Sequence, residues 1–470
     1  MMKYKQFRNL ANPDASTRRR LSWIAVYSPV VFLVQPSHIS FGQSRDGSST
    51  SSVQVVQSPV LALQGNEQSI GSFAFNEKLD LTYFENVALQ NSPSLQRISA
   101  LVESARGRGI QNATQANPQV GFNGQQVGSA GRAEQYGVEI GQEIIHRDKL
   151  ALNRSIGERE ANRLVREWQT QRQRILTDVR ILFYRAARSE RQLIVLKELL
   201  AISEQVGKLS EGLFKQGEAS KTDSLLSELE VESSNLLLDA AINRQKAVWR
   251  ELAATTGQCD LPIQPLAADL FSSSVDMKFE DTLCRIQQQS PEISVVLAAI
   301  ERSRVQLQRQ QIETRPNVTV QGLFNAIDNG IGGRPDGALL VTMPIPVWNK
   351  NRGGIQEARY QLIAAQRELN AVELELQIRL APVFDRYSTA RSQVERYRDR
   401  ILPKSEKTLE LSKQAYASGS VSFLSILTAQ RAYSQNQVAY LESLETLRVA
   451  EAEIEGLLLV GSATAGRTVK

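Results

Sequence analysis

Cysteine and histidine are nearly absent. The 470-residue chain has two of each, and only 6% of it is aromatic. A structural zinc site gathers four Cys or His ligands. Cys259, Cys284, His38 and His146 are scattered, and His146 has no histidine or cysteine beside it. No metal or cofactor site is therefore expected. Nucleophile elbows, P-loops and dinucleotide fingerprints are missing too, so the chain does not read as an enzyme. Long apolar runs are also missing. Past the N-terminal region no stretch approaches the 18 or so uninterrupted apolar residues of a membrane-spanning helix. With so few rings, the mixture of 41% hydrophobic and 22% charged residues favours long solvated helices over a thick core.

A one-sided charge is absent from the body of the chain as well. The formal net charge is +5. Through residue 42, Lys3, Lys5, Arg8, Arg18, Arg19 and Arg20 oppose only Asp14. That leaves 49 basic residues (55 less 6) and 49 acidic ones (50 less 1). A neutral body carries no nucleic-acid footprint. The basic cluster precedes the apolar run Leu21–Val34, which Pro29 interrupts, and small residues follow at Ser40 and Gly42. Residues 1–42 read as a signal peptide for export. Residues 43–74, rich in Ser, Gln and Gly, read as a disordered polar leader.

What is present is a repeat. Asn91-Ser92-Pro93 recurs as Gln289-Ser290-Pro291, and Asn117-Pro118 as Arg315-Pro316, both 198 residues later. Phe214-Lys-Gln-Gly217 recurs as Tyr416-Ala-Ser-Gly419, 202 residues later. The chain thus divides into a first repeat at 75–257, a linker at 258–275, a second repeat at 276–460 and a tail at 461–470, with four residues added within the second copy.

Each copy runs through the same order. A helix comes first, Leu79–Asn112 and Phe279–Thr314. Two alternating segments follow, each with one oily and one polar parity: Tyr136, Val138, Ile140 and Ile144 in copy one, Val318, Val320, Phe324, Leu339 and Val341 in copy two. Very long helices come next, Asp148–Lys215 and Gly353–Tyr416, each spanning roughly 95–100 Å. Shorter helices return over Thr222–Thr256 and Phe423–Leu459. Pro382 should kink or break the second long helix, and Pro403 is a further candidate. Four amphipathic strands cannot close a barrel by themselves, and an open sheet edge cannot sit in lipid. Either several chains share one barrel, or the strands cap a periplasmic coiled-coil scaffold.

The doubled order, the paired Ser-Pro and X-Pro steps, and the turns Leu213–Ser220 and Ala415–Ser422 resemble the TolC family of outer-membrane efflux proteins. Pro344–Ile355 resembles the heavy-metal (cobalt-zinc-cadmium) branch of that family. The resemblance implies a mainly α fold with a small β part, assembled as a homotrimer. Twelve strands would form a barrel in the outer-membrane lipid, and a 12-helix tube would extend into the periplasm. It also implies an exit duct for metal cations or small toxic molecules. Its partners would be a periplasmic adaptor and an inner-membrane transporter. A channel for type I protein secretion is the alternative within the same fold.

The resemblance places Gly217 and Gly419 at the periplasmic tips, where adaptors dock. Relatives carry gate carboxylates just past these turns. Here Asp223 stands at such a place, with uncharged Ser425 and Thr428 in the second copy. Asp223 reads equally as a helix N-terminal cap. Glu139 and Glu143, on the polar parity, read as lumen lining or as solvated strand-end charge. Tyr136 and Trp348 read as interfacial aromatics or as packing at the strand–helix junction. A Cys259–Cys284 disulfide stays open on sequence alone.

Overall fold

The computed structural model describes residues 79–125, 135–272, 275–328 and 334–463. The signal peptide, the whole leader, residues 75–78 of the first repeat and most of the tail lie outside these residues. Each repeat opens with two helices rather than one: α1 (Leu81–Asn91) and α2 (Pro93–Asn112), then α5 (Phe279–Gln289) and α6 (Pro291–Gln311). The single helices expected from the sequence are split at the Ser-Pro steps. Ser92 and Ser290 take extended backbone, as residues before proline do, and the proline starts the next helix.

The strands are β1 (Gln119–Gln125), β2 (Gln135–Ile144), β3 (Val318–Asp328) and β4 (Arg334–Thr342). They form one antiparallel sheet in the order β1-β2-β3-β4. The two hairpins are thus joined across the repeats, with Val138 opposite Phe324 and Ile144 opposite Val318. Register stacks the oily residues on one face: Val120 pairs with Ile140, Phe122 with Val138, Val320 with Val341. That face is open. Val120, Phe122 and Leu339 are each 74% exposed.

The return to helix differs between the repeats. Two residues separate β2 from α3 (Arg147–Lys215, 69 residues). Nine, 343–351, separate β4 from α7 (Arg352–Arg396). In place of one long helix, the second copy has α7, a π-helical turn at Tyr397–Ile401 and α8 (Leu402–Ala417). These span 66 residues, so the loop gains seven, the helix loses three, and the difference is the four-residue insertion. The expected break at Pro382 does not occur, and α7 runs through it. Pro382 and Ile378 are exposed, so the carbonyl that Pro382 leaves unbonded can turn to water. The break comes just before Pro403, whose missing N–H shifts the ladder to wider π spacing.

Returning helices α4 (Lys221–Thr256) and α9 (Phe423–Glu455) complete the two hairpins. Near the sheet the helices lie side by side as α2-α3-α6-α7, and towards the far end as α4-α3-α9-α8. Leu193, Leu196 and Leu199 of α3 pack with Leu441, Leu444 and Leu447 of α9 and with Leu380 and Tyr387 of α7. The linker crosses one flank of this layer. Leu79 forms a parallel bridge with Leu266, Trp249 donates to the Leu261 carbonyl at 2.8 Å, and Arg448 donates to the Leu270 carbonyl at 3.3 Å.

Candidate functional site

The two helix turns are built alike. Gly217 and Gly419 adopt φ of 77° and 70°, the left-handed region that glycine enters without strain. At the first turn Glu218 N–H donates to the Leu213 carbonyl (2.9 Å) and Gly217 N–H to the Phe214 carbonyl (3.0 Å). At the second turn Ser420 N–H reaches Ala415 (2.9 Å) and Gly419 N–H reaches Tyr416 (3.0 Å). Both are paired C-terminal closures of the Schellman type. The hairpin ends pack on one another through Val206, Tyr416, Phe423, Ile426 and Leu427.

Past the turns the copies diverge. Ser220 Oγ accepts from Asp223 N–H at 3.1 Å, and the Asp223 carboxylate accepts from Ser220 N–H at 3.2 Å. This reciprocal capping box satisfies two otherwise unpaired donors. In the second copy Ser425 N–H donates to the Ser422 carbonyl at 3.0 Å and the two hydroxyls meet at 3.3 Å, but no side chain caps the helix. Thr428 donates to the Leu424 carbonyl one turn back, at 2.7 Å, and stays exposed. Asp223 is therefore at least a cap. Asp223 as a residue is partly exposed at this turn. Nearby, the hydrogen bond from Lys215 holds the Glu211 carboxyl below its ordinary value.

Pattern reasoning missed the ties that hold one hairpin against the other. Arg431 of α9 reaches Glu230 of α4 through Nε (3.0 Å) and Nη2 (2.8 Å). Gln430 donates to Ser203 Oγ of α3, which also contacts Ser234 Oγ of α4 at 3.0 Å. Arg431 lies 201 residues from Glu230. Its sequence signal was a charge on an otherwise uncharged helix start.

Glu139 and Glu143 sit at the opposite end, about 100 Å away by the length of α3. Both are exposed. Glu143 accepts from Asn317 Nδ2 at 2.6 Å, and Glu139 faces Gly121 across the ladder. The structure therefore brings Gly217, Asp223, Gly419, Ser425 and Thr428 together and leaves the two glutamates apart. Tyr136 stacks at 6.4 Å from Phe122, while Trp348 in the 343–351 loop is 95% exposed. Cys259 and Cys284 are exposed free thiols. Among the described residues no three or more His, Cys, Asp or Glu side chains are grouped to hold a metal, and no helix is long and apolar enough to cross a membrane.

The outer membrane efflux protein family model matches residues 86–258 and 283–458, one match per repeat. The chain belongs to that family. Among curated proteins it is similar to the cobalt-zinc-cadmium resistance protein CzcC of Cupriavidus metallidurans, at 23% identity over 236 residues. That match covers 49% of this chain and 53% of CzcC, so the chain spans about half the length of the curated relative it matches. Among solved structures, CusC superposes with a TM-score of 0.67 at 14% identity, covering 84% of this chain and 96% of CusC. The outer membrane protein VceC of Vibrio cholerae gives 0.66 at 15% identity, covering 81% and 96%. At such identities the likeness speaks for the fold. The resemblance read from the repeats thus holds at the level of the family.

Proposed function

We propose that three copies of this chain form an outer-membrane channel whose helical tube reaches into the periplasm. It is the passive exit duct of a tripartite efflux system. One observation carries this reading: every layer of the protomer is open at both ends. In the sheet, β1 and β4 are unpaired edges beside an exposed oily face, which no single chain can place in lipid. Near the sheet, α2 ends the row with Ile110 exposed, and α7 ends it with Tyr360 and Leu374 exposed. Towards the tips, α4 presents Leu225, Leu229 and Leu236, and α8 presents Leu411. One head-to-tail rotation mates β4 with β1, α7 with α2 and α8 with α4 of the next copy, and a ring results when that rotation closes. Three copies supply twelve strands, a count that encloses an aqueous lumen. Family membership supports this stoichiometry.

In this assembly the oily face meets lipid, and Glu139 and Glu143 line the barrel. The glycine turns become the periplasmic tips that receive an adaptor, which links the duct to an inner-membrane transporter. Three Asp223 carboxylates ring the tip without a second ring from Ser425. The Arg431–Glu230 tie holds the tips together and resists their opening. Metal cations are the favoured cargo, on the similarity to CzcC and of Pro344–Ile355 to the heavy-metal branch. Small toxic organic molecules are the runner-up. Detergent-extracted protein added to planar bilayers should give discrete conductance steps. Their absence from correctly folded protein would overturn the duct.

A further inference from the structure

A second polar site lies far from the tips. A cavity of about 720 Å³ opens between α3, α6 and α7, roughly 18–29 Å along α3 from the sheet by helical rise. Arg159, Asn162 and Arg166 of α3 line it, with Glu301 and Arg304 of α6 and Gln366 and Asn370 of α7. Leu297 and Leu369 form apolar wall. Glu301 pairs with Arg304. Arg159 has no carboxylate partner among the described residues. Among the described residues the Arg166 guanidinium donates only to Gln169 Oε1, at 3.2 Å. Two guanidiniums per chain thus remain uncompensated in a cleft otherwise rich in amides.

The side of the layer on which this cleft opens follows from seven-residue steps. Arg159, Arg166 and Arg180 share one flank of α3, and Arg180 reaches Glu85 of α1 at 2.6 Å. Asn370, Phe384 and Arg391 share one flank of α7. There Phe384 meets Phe279 of α5 edge-to-face at 5.4 Å, and Arg391 pairs with Asp276, next to the linker. The cleft therefore opens on the flank covered by α1, α5 and the linker. Three sets of those segments inside the tube would plug it, so this flank is the outer one. Closure of the ring through the edges of α2 and α7 leaves it uncovered.

We propose that this cleft binds a carboxylate-bearing glycan–peptide polymer, the chemistry of the peptidoglycan layer, and so anchors the tube in the cell wall. The proposal rests on the reading above only for the periplasmic position of the cleft. Guanidiniums take carboxylates through two parallel hydrogen bonds. The amides of Asn162, Gln366 and Asn370 can bond sugar hydroxyls and peptide groups, and Leu297 and Leu369 can take their apolar faces.

The test is co-sedimentation of the detergent-extracted full chain with purified insoluble peptidoglycan, scored alongside the oligomer mass of the same extract. The native protein should pellet at low salt and be released at high salt. Arg159→Gln with Arg166→Gln should leave little protein in the pellet and cut the affinity by about a hundredfold or more, the loss expected for two charge-assisted contacts. Arg159→Lys with Arg166→Lys should keep much of it, which separates charge from misfolding. Peptidoglycan with its carboxyls amidated should not bind the native protein. Equal pelleting of native and double-Gln protein, or no pelleting of native protein, overturns the proposal. A soluble monomer in the same extract would instead strike the channel reading.

Discussion

The two repeats are the same design closed in different ways at both ends of the long helix. In the first, two residues lead from β2 straight into 69 unbroken residues of α3. In the second, a nine-residue loop and a π-helical turn intervene. Both Schellman turns survive this divergence unchanged, while the capping box beyond them survives in only one copy. Geometry that ends a helix tightly depends on one glycine φ and is hard to replace. Charge just past the turn is free to vary, and with it the electrostatics of the tip.

The comparison breaks most severely at the sheet, where both repeats must contribute. Phe122→Arg on the oily face should cost about 2–4 kcal/mol at mid-membrane depth and abolish the assembled oligomer in detergent. Gln321→Lys, on the opposite face, should leave the oligomer intact. If both variants assemble equally well, the oily face is not the lipid face.

The tie between repeats comes next. Glu230 is 13% exposed at its side chain and Arg431 54%, so removing Arg431 strands a largely buried carboxylate and should cost about 1–3 kcal/mol of stability. Its functional effect should be larger. Arg431→Ala should raise single-channel conductance severalfold, and unchanged conductance would remove the pair from the gate.

Gly217→Ala and Gly419→Ala probe what the copies share. Each should cost about 1–2 kcal/mol for an L-residue held in the left-handed region, and the two costs should agree, measured by proteolysis at the tips. A large inequality would show that one turn is held by something beyond its backbone. The smallest effect probes what they do not share. Asp223→Ala should cost about 0.3–1 kcal/mol of helix stability, through loss of the N3 half of the capping box and of a negative charge at the helix N-terminus. Ser425→Asp should restore a capping box and gain a few tenths. Their effects on cation selectivity should run in opposite directions. No change with either would leave Asp223 as a cap alone.

Much of this was legible in the sequence because it repeats or is periodic. The 198- and 202-residue offsets revealed two copies and aligned their glycine turns. Alternation in β2 and β3 picked out the face that proves to be exposed. What stayed hidden depends on contacts between distant residues. Arg431 and Glu230 each look like ordinary helix-surface charges until α4 and α9 are brought together. Arg159 and Arg166 look like part of a dense alternating pattern until pairing uses up their neighbours. Glu160, for example, is bracketed by Arg163 at 2.9 Å and Arg302 at 3.0 Å, while Arg159 finds no acid. Pro382 misled because proline's cost depends on whether the carbonyl it strands can reach water, which only burial reveals.

The central claim is that an open protomer closes by joining identical copies. The most direct measurement is the native mass of the protein extracted from the outer-membrane fraction in detergent. The account predicts a mass of three chains, since twelve strands need that stoichiometry. A soluble monomer or dimer found without detergent would contradict it.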